Sequence, residues 1–163
     1  MREIIFRGKR LDNGEWTEGY LYEHEPALVG IVSENDVPEP SQWFIARTGF
    51  ADWNMPRPVE FIEVDPSTVG QYTGLKDKRG KRTFEGDILR IARISDGFGG
   101  YYHPPLDYPV NVVVKWDLCA WMWETLCEDL RFISFPDAWC HYECEVIGNV
   151  HDNPELLEEE AQP

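Results

Sequence analysis

The chain has 163 residues, of which 42% are hydrophobic, so it can form one folded domain or two small ones and is too apolar for wholesale disorder. Its 15 basic and 30 acidic residues give a net charge of −15, which repels phosphate backbones at long range, so binding to nucleic acid would require a local basic patch. No run of about 18 apolar residues is present and the charged MREIIFRGKR start does not resemble a signal peptide, so we expect no membrane association and a cytoplasmic location.

The first part of the chain predicts a β-rich unit. Asp12-Asn13-Gly14 is a strong turn signal, which we expect to close a tight hairpin between the first two strands. The expected strands are residues 2–7, Trp16–Tyr22, Ala27–Ser33 and Val59–Val64, with a buried apolar loop as the alternative for Ala27–Ser33. Trp43–Ala46 is a short apolar segment, and proline-rich stretches on both sides of it predict loops.

A second hairpin is predicted within Val69–Ile91. Strand-type residues at Gln71-Tyr72-Thr73 and Thr83-Phe84 surround a polar turn, in which Gly80 would supply the positive φ that other residues resist. Glu85-Gly86-Asp87 then predicts a tight entry into a long strand. Gly86 would permit an otherwise strained backbone and the Asp87 carboxylate would accept N–H groups of the turn, with a catalytic role for Asp87 as the alternative.

The remaining sequence continues this β pattern. Further strands are expected at Ile88–Ile94, Pro109–Trp116, Ala120–Leu126 and Cys140–Val150, with a helical turn as the alternative for Ala120–Leu126. Strands spaced by roughly ten residues argue for a barrel or sandwich, and five short bent strands would form a small SH3-like barrel. Asn153 and Pro154 predict the cap and first residue of a short C-terminal helix, followed by an acidic tail.

The predicted turn of the second hairpin carries the densest positive charge in the chain. Only Asp77 opposes five basic residues there, for a local charge of +4. These candidate anion- or partner-binding residues are Lys76, Lys78, Arg79, Lys81 and Arg82. They predict contact with nucleic acid phosphates, with an acidic patch on another protein, or with another copy of this chain. An ordinary solvated turn is the alternative interpretation.

A second candidate contact surface is the loop at Ser95–Pro109. Its aromatic side chains Phe98, Tyr101 and Tyr102 lie in glycine- and proline-rich sequence, which is typical of a binding loop. A loop held in place by its own aromatic side chains is the alternative. The nearby Trp121 and Trp123 alternate around Met122 on one strand face, which is typical of a core.

Neither a metal centre nor an active site is predicted. Only one pair among Cys119, Cys127, Cys140 and Cys144 is closely spaced, whereas a structural zinc site usually presents a close pair at each end. Buried reduced thiols are therefore the favoured interpretation, and no cofactor is expected. Motifs of hydrolases, metalloproteases and dinucleotide-binding enzymes are missing, so no catalytic residue is assigned and a non-enzymatic protein is favoured.

The words QYTGLKD, EGDIL and VIGNVHDNPELL closely resemble the YopX family of phage and prophage proteins, as does the MREIIFRG opening. The resemblance implies a two-part, mostly β fold and offers no established activity or site residues. In the family, words like those at Asp65-Pro66 precede the QYTGLKD segment. The chain therefore predicts a β-rich unit at residues 1–65, an SH3-like barrel at 66–150 and an acidic tail at 151–163.

These observations leave three hypotheses for function. The first is a non-enzymatic accessory protein that binds a macromolecule, more readily a protein than a nucleic acid because of the net charge of −15. The second is binding of nucleic acid through residues 76–82. The third is a homo-oligomeric structural protein, in which the acidic N-terminal unit of one copy meets the basic hairpin of another.

Overall fold

The structure is a computed structural model that describes residues 3–25, 40–49, 59–93, 109–117, 120–124 and 142–157. These residues are mainly β, and every pairing among their strands is antiparallel, which confirms the mainly-β prediction. The strands are β1 (Phe6–Lys9), β2 (Trp16–His24), β3 (Gln42–Thr48), β4 (Val59–Glu63), β5 (Gly70–Lys76), β6 (Arg82–Phe84), β7 (Asp87–Arg93), β8 (Val110–Asp117), β9 (Ala120–Glu124) and β10 (Tyr142–Asn149).

Contacts within the chain define two compact units. The N-terminal unit comprises Glu3–Gln71, and the C-terminal unit begins at Tyr72. The change of unit therefore occurs within β5, whose first residues pair with β1 and whose later residues pair with β6. The finer division at residues 65 and 150 stays a prediction.

The N-terminal unit is built on β1 to β4, which pair in the order β4–β3–β2–β1. The predicted turn joins β1 to β2, and Gly14 has a φ of +72° there, which favours glycine. Ile45 and Val64 are buried. A Cβ on Gly8 would lie 3.0 Å from the Val64 side chain, so the strand can approach closely only without a side chain at position 8.

A short 3₁₀ helix, Pro66–Thr68, follows β4 and anchors the end of this unit. Asp65 caps the helix because its carboxylate accepts hydrogen bonds from the Ser67 N–H at 2.9 Å and the Ser67 hydroxyl at 2.7 Å. The Thr68 hydroxyl oxygen accepts a hydrogen bond from the Lys9 N–H at 2.9 Å. The connection is therefore bonded back to β1 before the chain enters β5.

The C-terminal unit contains a four-stranded array in the order β10–β7–β8–β9. The central strands β7 and β8 are buried on both faces, because neighbouring positions such as Ile88 and Leu89 are equally inaccessible. Trp121 and Trp123 lie in the apolar core with Val112 and Val146, which confirms that their alternation marks a core face. Trp116 is 51% exposed and packs edge-on against Trp121, with ring centroids 5.0 Å apart.

The Glu85-Gly86-Asp87 turn has the predicted structure. Gly86 has a φ of +77°, and the Asp87 carboxylate accepts a hydrogen bond from the Phe84 N–H at 2.8 Å. The N–H of Gly86 donates to the Val114 carbonyl at 2.9 Å, and its carbonyl accepts from the Val150 N–H at the same distance. The turn that opens β7 is therefore bonded to the segments on both sides of that strand.

The C-terminal end of the described chain also agrees with the sequence. A 3₁₀ helix begins at Pro154 and ends at Leu157, where a short helix is predicted. Gly148 makes this fold-back possible, because a Cβ there would lie 2.7 Å from Oδ1 of Asn153. No helix within the described segments is long and apolar enough to cross a membrane. Closure of the C-terminal strands into an SH3-like barrel stays a prediction.

Candidate functional site

The basic turn between β5 and β6 is organised by one buried acid. Oδ1 of Asp77 accepts hydrogen bonds from the Arg79 N–H at 2.8 Å and the Lys81 N–H at 2.9 Å. Its backbone carbonyl accepts from Gly80, where the predicted positive φ is observed at +83°. Asp77 therefore shapes the loop that presents the basic side chains.

Asp77 also fastens this turn to β10. Its Oδ2 accepts a hydrogen bond from the Val146 N–H at 3.2 Å, and the neighbouring Lys78 N–H donates to the Cys144 carbonyl at 3.0 Å. Burial alone would raise the pKa of Asp77. The N–H groups of Lys81, Val146 and Arg79 and the charge of Lys81 outweigh burial, so the pKa is lowered and the carboxylate stays charged.

Lys78 and Arg79 form ion pairs with acids of β10. Lys78 Nζ lies 3.0 Å from Glu145 and 3.6 Å from Glu143, and Arg79 lies 2.6 Å from Glu145. The hydrogen bond to Glu145 raises the pKa of Lys78. When Glu143 and Glu145 are counted, the local charge falls from +4 to +2. Half of the net positive charge that the sequence shows here is therefore neutralised by the ion pairs that attach the turn to β10.

The other three basic residues are placed differently. The Arg82 guanidinium lies 5.6 Å from the centre of the Tyr72 ring, in the range of a cation–π contact. Lys76 and Lys81 are exposed and form no ion pair with any residue in the described segments. They are the members of the predicted set with charge most available to a ligand.

The other sequence-based candidates are only partly covered by the described residues. Phe98, Tyr101 and Tyr102 lie outside them, as do Cys119, Cys127 and Cys140. Cys144 is buried, and burial followed by the charge of Asp77 raises the pKa of its thiol to about 12. Within the described segments, no group of three potential ligands could hold a metal ion.

The N-terminal unit presents an apolar surface that the sequence analysis did not identify. We call it the aromatic face, and it consists of Tyr20, Tyr22, Phe44, Val59 and Phe61. The strand register places these side chains on one side of β2, β3 and β4, because directly paired residues of antiparallel strands share a face. The Tyr22 ring centre lies 6.3 Å from that of Phe44 and 5.7 Å from that of Phe61.

The aromatic face is strongly exposed. Tyr20 is 69% exposed, Phe61 58% and Tyr22 47%, while the reverse side of β3 carries the fully buried Ile45. Charged residues border the face: Glu18 pairs directly with Arg7 across β1 and β2, and Glu63 pairs with Phe44 across β3 and β4. The face therefore combines an apolar centre with a charged margin, in which Glu63 is the acid nearest to Phe44.

A cleft of about 410 Å³ adjoins one end of the aromatic face. It lies where β2 and β4 end and β3 begins, within the N-terminal unit. Its lining residues include Leu11, Trp43 and Pro66 together with His24, Gln42 and Glu63. His24 connects the two features, since its ring centre lies 6.4 Å from that of Tyr22.

The fold and these surfaces define a mainly-β protein of two units with candidate binding surfaces. The YopX protein family model matches residues 6–158, so the chain belongs to the YopX family. The crystal structure of protein EF1440 from Enterococcus faecalis is similar at 26% sequence identity, covering 96% of this chain and 99% of that chain, with a TM-score of 0.45. No curated protein matches the sequence.

Proposed function

We propose that this YopX protein is a non-enzymatic accessory factor of a phage or prophage that binds another protein in the bacterial cytoplasm. The aromatic face of the N-terminal unit is the contact surface. The single observation that carries this proposal is the clustering of exposed Tyr20, Tyr22 and Phe61 on one side of a sheet. Scattered apolar residues are ordinary on protein surfaces, whereas a contiguous apolar patch marks an interaction site.

The side chains of the aromatic face suit protein recognition. Aromatic residues are enriched in the cores of protein interfaces, because they bury a large area and lose little conformational freedom. Tyr22 contacts both Phe44 and Phe61, so the rings support one another before any partner arrives. A face that is ordered in advance loses less entropy on binding.

Charge indicates the kind of partner. Glu63 borders the aromatic face, and the whole chain carries −15. A partner with apolar side chains surrounded by basic residues would be attracted and correctly oriented, whereas a nucleic acid or an acidic protein would be repelled. We therefore commit to a basic protein partner.

The decisive experiment is a pull-down from infected or prophage-bearing lysate with the wild type, a Tyr20→Ser/Phe61→Ser variant and a Trp116→Ser control. Trp116 is also half exposed but lies in the C-terminal unit. We expect capture of a basic protein that persists after nuclease treatment, is retained with the control and is lost with the aromatic-face variant, while circular dichroism shows that both variants stay folded. Equal capture by all three proteins would refute the aromatic face as the contact surface.

Binding of nucleic acid through the basic hairpin is the second candidate. The exposure of Lys76 and Lys81 favours it, whereas the ion pairs of Lys78 and Arg79 weaken it. Partners that vanish with nuclease, together with loss of binding on charge reversal at Lys76 and Lys81, would establish it. The same variants test whether the hairpin of one copy binds the acidic N-terminal unit of another. A protein that stays monomeric at every salt concentration would exclude this self-assembly.

A further inference from the structure

We propose that the outer edge of β4, the edge remote from β3, receives an extended segment of the partner protein as an additional antiparallel strand. This inference rests on the proposed function, because it specifies how the partner binds beside the aromatic face. β4 stands at the end of the strand order in the N-terminal unit, so β3 is its one neighbour among the strands that the structure describes. The outer edge is therefore a place where a further strand can join the sheet.

The hydrogen bonds of β3 and β4 show which backbone groups face inward. The Val64 N–H donates to the Trp43 carbonyl at 2.9 Å, and this pair continues the register that joins Ile45 to Ile62. Hydrogen-bonded and non-hydrogen-bonded pairs alternate along antiparallel strands. Ile62 and Glu60 therefore direct their N–H and C=O groups toward β3.

The alternate residues Val59 and Phe61 direct their backbone groups away from β3. Glu63 belongs to the same set, and its carbonyl accepts a hydrogen bond from the Leu11 N–H at 3.1 Å on the outer side. Leu11 covers the edge at Glu63, and no other residue in the described segments bonds to the outward groups of Val59 and Phe61. These two residues thus offer backbone donors and acceptors to an incoming strand.

The side chains at this edge select the partner segment. Val59 is 61% exposed and Phe61 58%, and both lie on the aromatic face. Directly opposed residues of antiparallel strands share a face, so partner residues opposite Val59 and Phe61 would pack against them and enlarge the apolar surface. The residue between them would point to the other side of the sheet. We therefore expect a partner motif of two large apolar residues separated by one residue, with basic residues nearby.

A second copy of this chain fits the edge less well than a basic partner. Pairing β4 with β4 of another copy would bring together two chains that each carry −15, whereas a basic segment is attracted by the same charge. Sheet edges bind extended segments in this way because main-chain hydrogen bonds supply affinity and alternate side chains supply specificity.

The test is an NMR titration of the full-length, isotopically labelled protein with the peptide Ac-Arg-Val-Lys-Phe-Arg-NH₂ and two N-methylated forms. One form is methylated on the nitrogens of Val and Phe, which would donate to β4, and the other on those of Lys and the second Arg, which would point away. We expect saturable shifts at Val59 and Phe61 with the parent peptide, roughly tenfold weaker binding of the first form and little change for the second. Equal affinity of all three peptides, or no binding of the parent, would overturn the inference.

Hydrogen exchange of individual amides tests the edge directly. In the free protein the Phe61 amide should exchange quickly and the neighbouring Ile62 amide slowly, because only the second bonds to β3. The parent peptide should slow the exchange of Phe61. Slow exchange of Phe61 in the free protein would show that the edge is already covered, and protection that grows with protein concentration would place a second copy there. Either result would overturn the inference.

Two variants isolate the backbone contribution. Val59→Pro removes an outward N–H at the first residue of β4, where proline is tolerated because no hydrogen bond to β3 is lost. Val59→Ala keeps that N–H with a smaller side chain. We expect the proline variant to bind the parent peptide roughly fivefold more weakly than the alanine variant. An alanine variant that binds as weakly would refute the hydrogen bond, and the N-methylated peptides decide the question if the proline variant does not fold.

The titration and the pull-down can fail separately. Partner capture that depends on Tyr20 and Phe61, together with equal binding of the three peptides, would overturn strand addition and leave the proposed function standing. Selective loss of the peptide methylated on Val and Phe, together with capture that ignores the aromatic face, would support strand addition and overturn the proposed contact surface.

Discussion

The carboxylate of Asp77 and the backbone N–H of Val146 are joined by a hydrogen bond of 3.2 Å across 69 positions of sequence. The same carboxylate organises the turn that contains Arg79 and Lys81. One side chain thus shapes the basic turn and attaches it to β10. The basic side chains can therefore be presented to a ligand only while Asp77 holds the turn in this conformation.

We expect Asp77→Asn to destabilise the C-terminal unit by about 1–3 kcal/mol, because a buried hydrogen-bonded charge is lost. The amide offers a single acceptor oxygen, so its NH₂ group must face an N–H donor at Val146 or in the turn. Urea unfolding of the variant against the wild type measures the loss. Asp12→Asn, at an exposed acid paired with Arg10, is the matched control and should have a much smaller effect.

The effect of Asp77 depends on pH with a defined sign. Its pKa in the folded protein is lowered, so its contribution is fully present above the unfolded value of about 3.9 and is lost as the pH falls through the folded pKa. The stability difference between the wild type and Asp77→Asn should therefore be constant near neutrality and shrink in acid. A difference that stays constant down to pH 2 would contradict this account.

The effect of replacing Gly86 should depend on the backbone conformation that the new residue must adopt, because there is space for a Cβ atom. A Cβ there would meet Val150 at 3.5 Å, which is ordinary contact, but the φ of +77° is strained for other residues. We expect Gly86→Ala to cost roughly 1–2 kcal/mol and Gly86→Asn to cost less, because asparagine adopts this conformation more readily. Thermal unfolding of both variants gives the order, and a more stable alanine variant would contradict it.

The ion pairs of the basic turn predict that neutralising Glu145 destabilises the protein more than neutralising Glu143. Glu145→Gln removes the acid shared by Lys78 and Arg79, whereas Glu143→Gln removes only the longer contact of 3.6 Å. We expect the first variant to lower the urea midpoint more than the second, with both effects shrinking in high salt because exposed pairs are screened. Equal effects that do not depend on salt would argue against these pairs.

The thiol of Cys144 should resist modification in the folded protein. Burial raises its pKa to about 12, so the reactive thiolate is rare even at pH 9 and reagents cannot reach the sulfur. Alkylation with iodoacetamide, followed by mass spectrometry of individual peptides, resolves this position from the other cysteines. Labelling of Cys144 should become rapid only in denaturant, and rapid labelling under native conditions would be inconsistent with its burial.

Much of the fold could be predicted because the strands carry strong local signals. The run that forms β8 is β-branched and flanked by turn residues, and it is observed at Val110–Asp117, within a residue of the prediction at each end. The ends of weaker strands were less predictable. The polar residues Gln42 and Thr48 belong to β3 through pairing with neighbouring strands, and an apolar pattern marks only the middle of such a strand.

For the first strand, the sequence predicts a start that is too early. Residues 2–7 alternate weakly, but pairing starts only at Phe6 and continues to Lys9. Ile4 is 58% exposed despite its apolar character. The partners of β1 determine its limits: Phe6 pairs with Gly19 on β2 and with Gln71 on β5.

The candidate surfaces were harder to predict because they depend on register. Tyr20 and Tyr22 alternate with Leu21 on β2, so both faces of that strand contain apolar residues and the exposed one cannot be read from the sequence. Phe61 joins them only through β3 and β4. The basic turn was visible as a run of charges, but its neutralising Glu145 lies far away in sequence.

The placement of β7 between β10 and β8 determines when the C-terminal unit can fold as the ribosome synthesises the chain. The strand that completes one side of β7, and that is hydrogen-bonded to the basic turn, is added to the chain only at Tyr142–Asn149. The C-terminal unit must therefore wait for late residues before its middle can form, and contacts of such long range fold slowly. A nascent chain that pauses before Tyr142 would leave β7 without β10, and chains with such unpaired strand edges and exposed apolar residues are prone to aggregate.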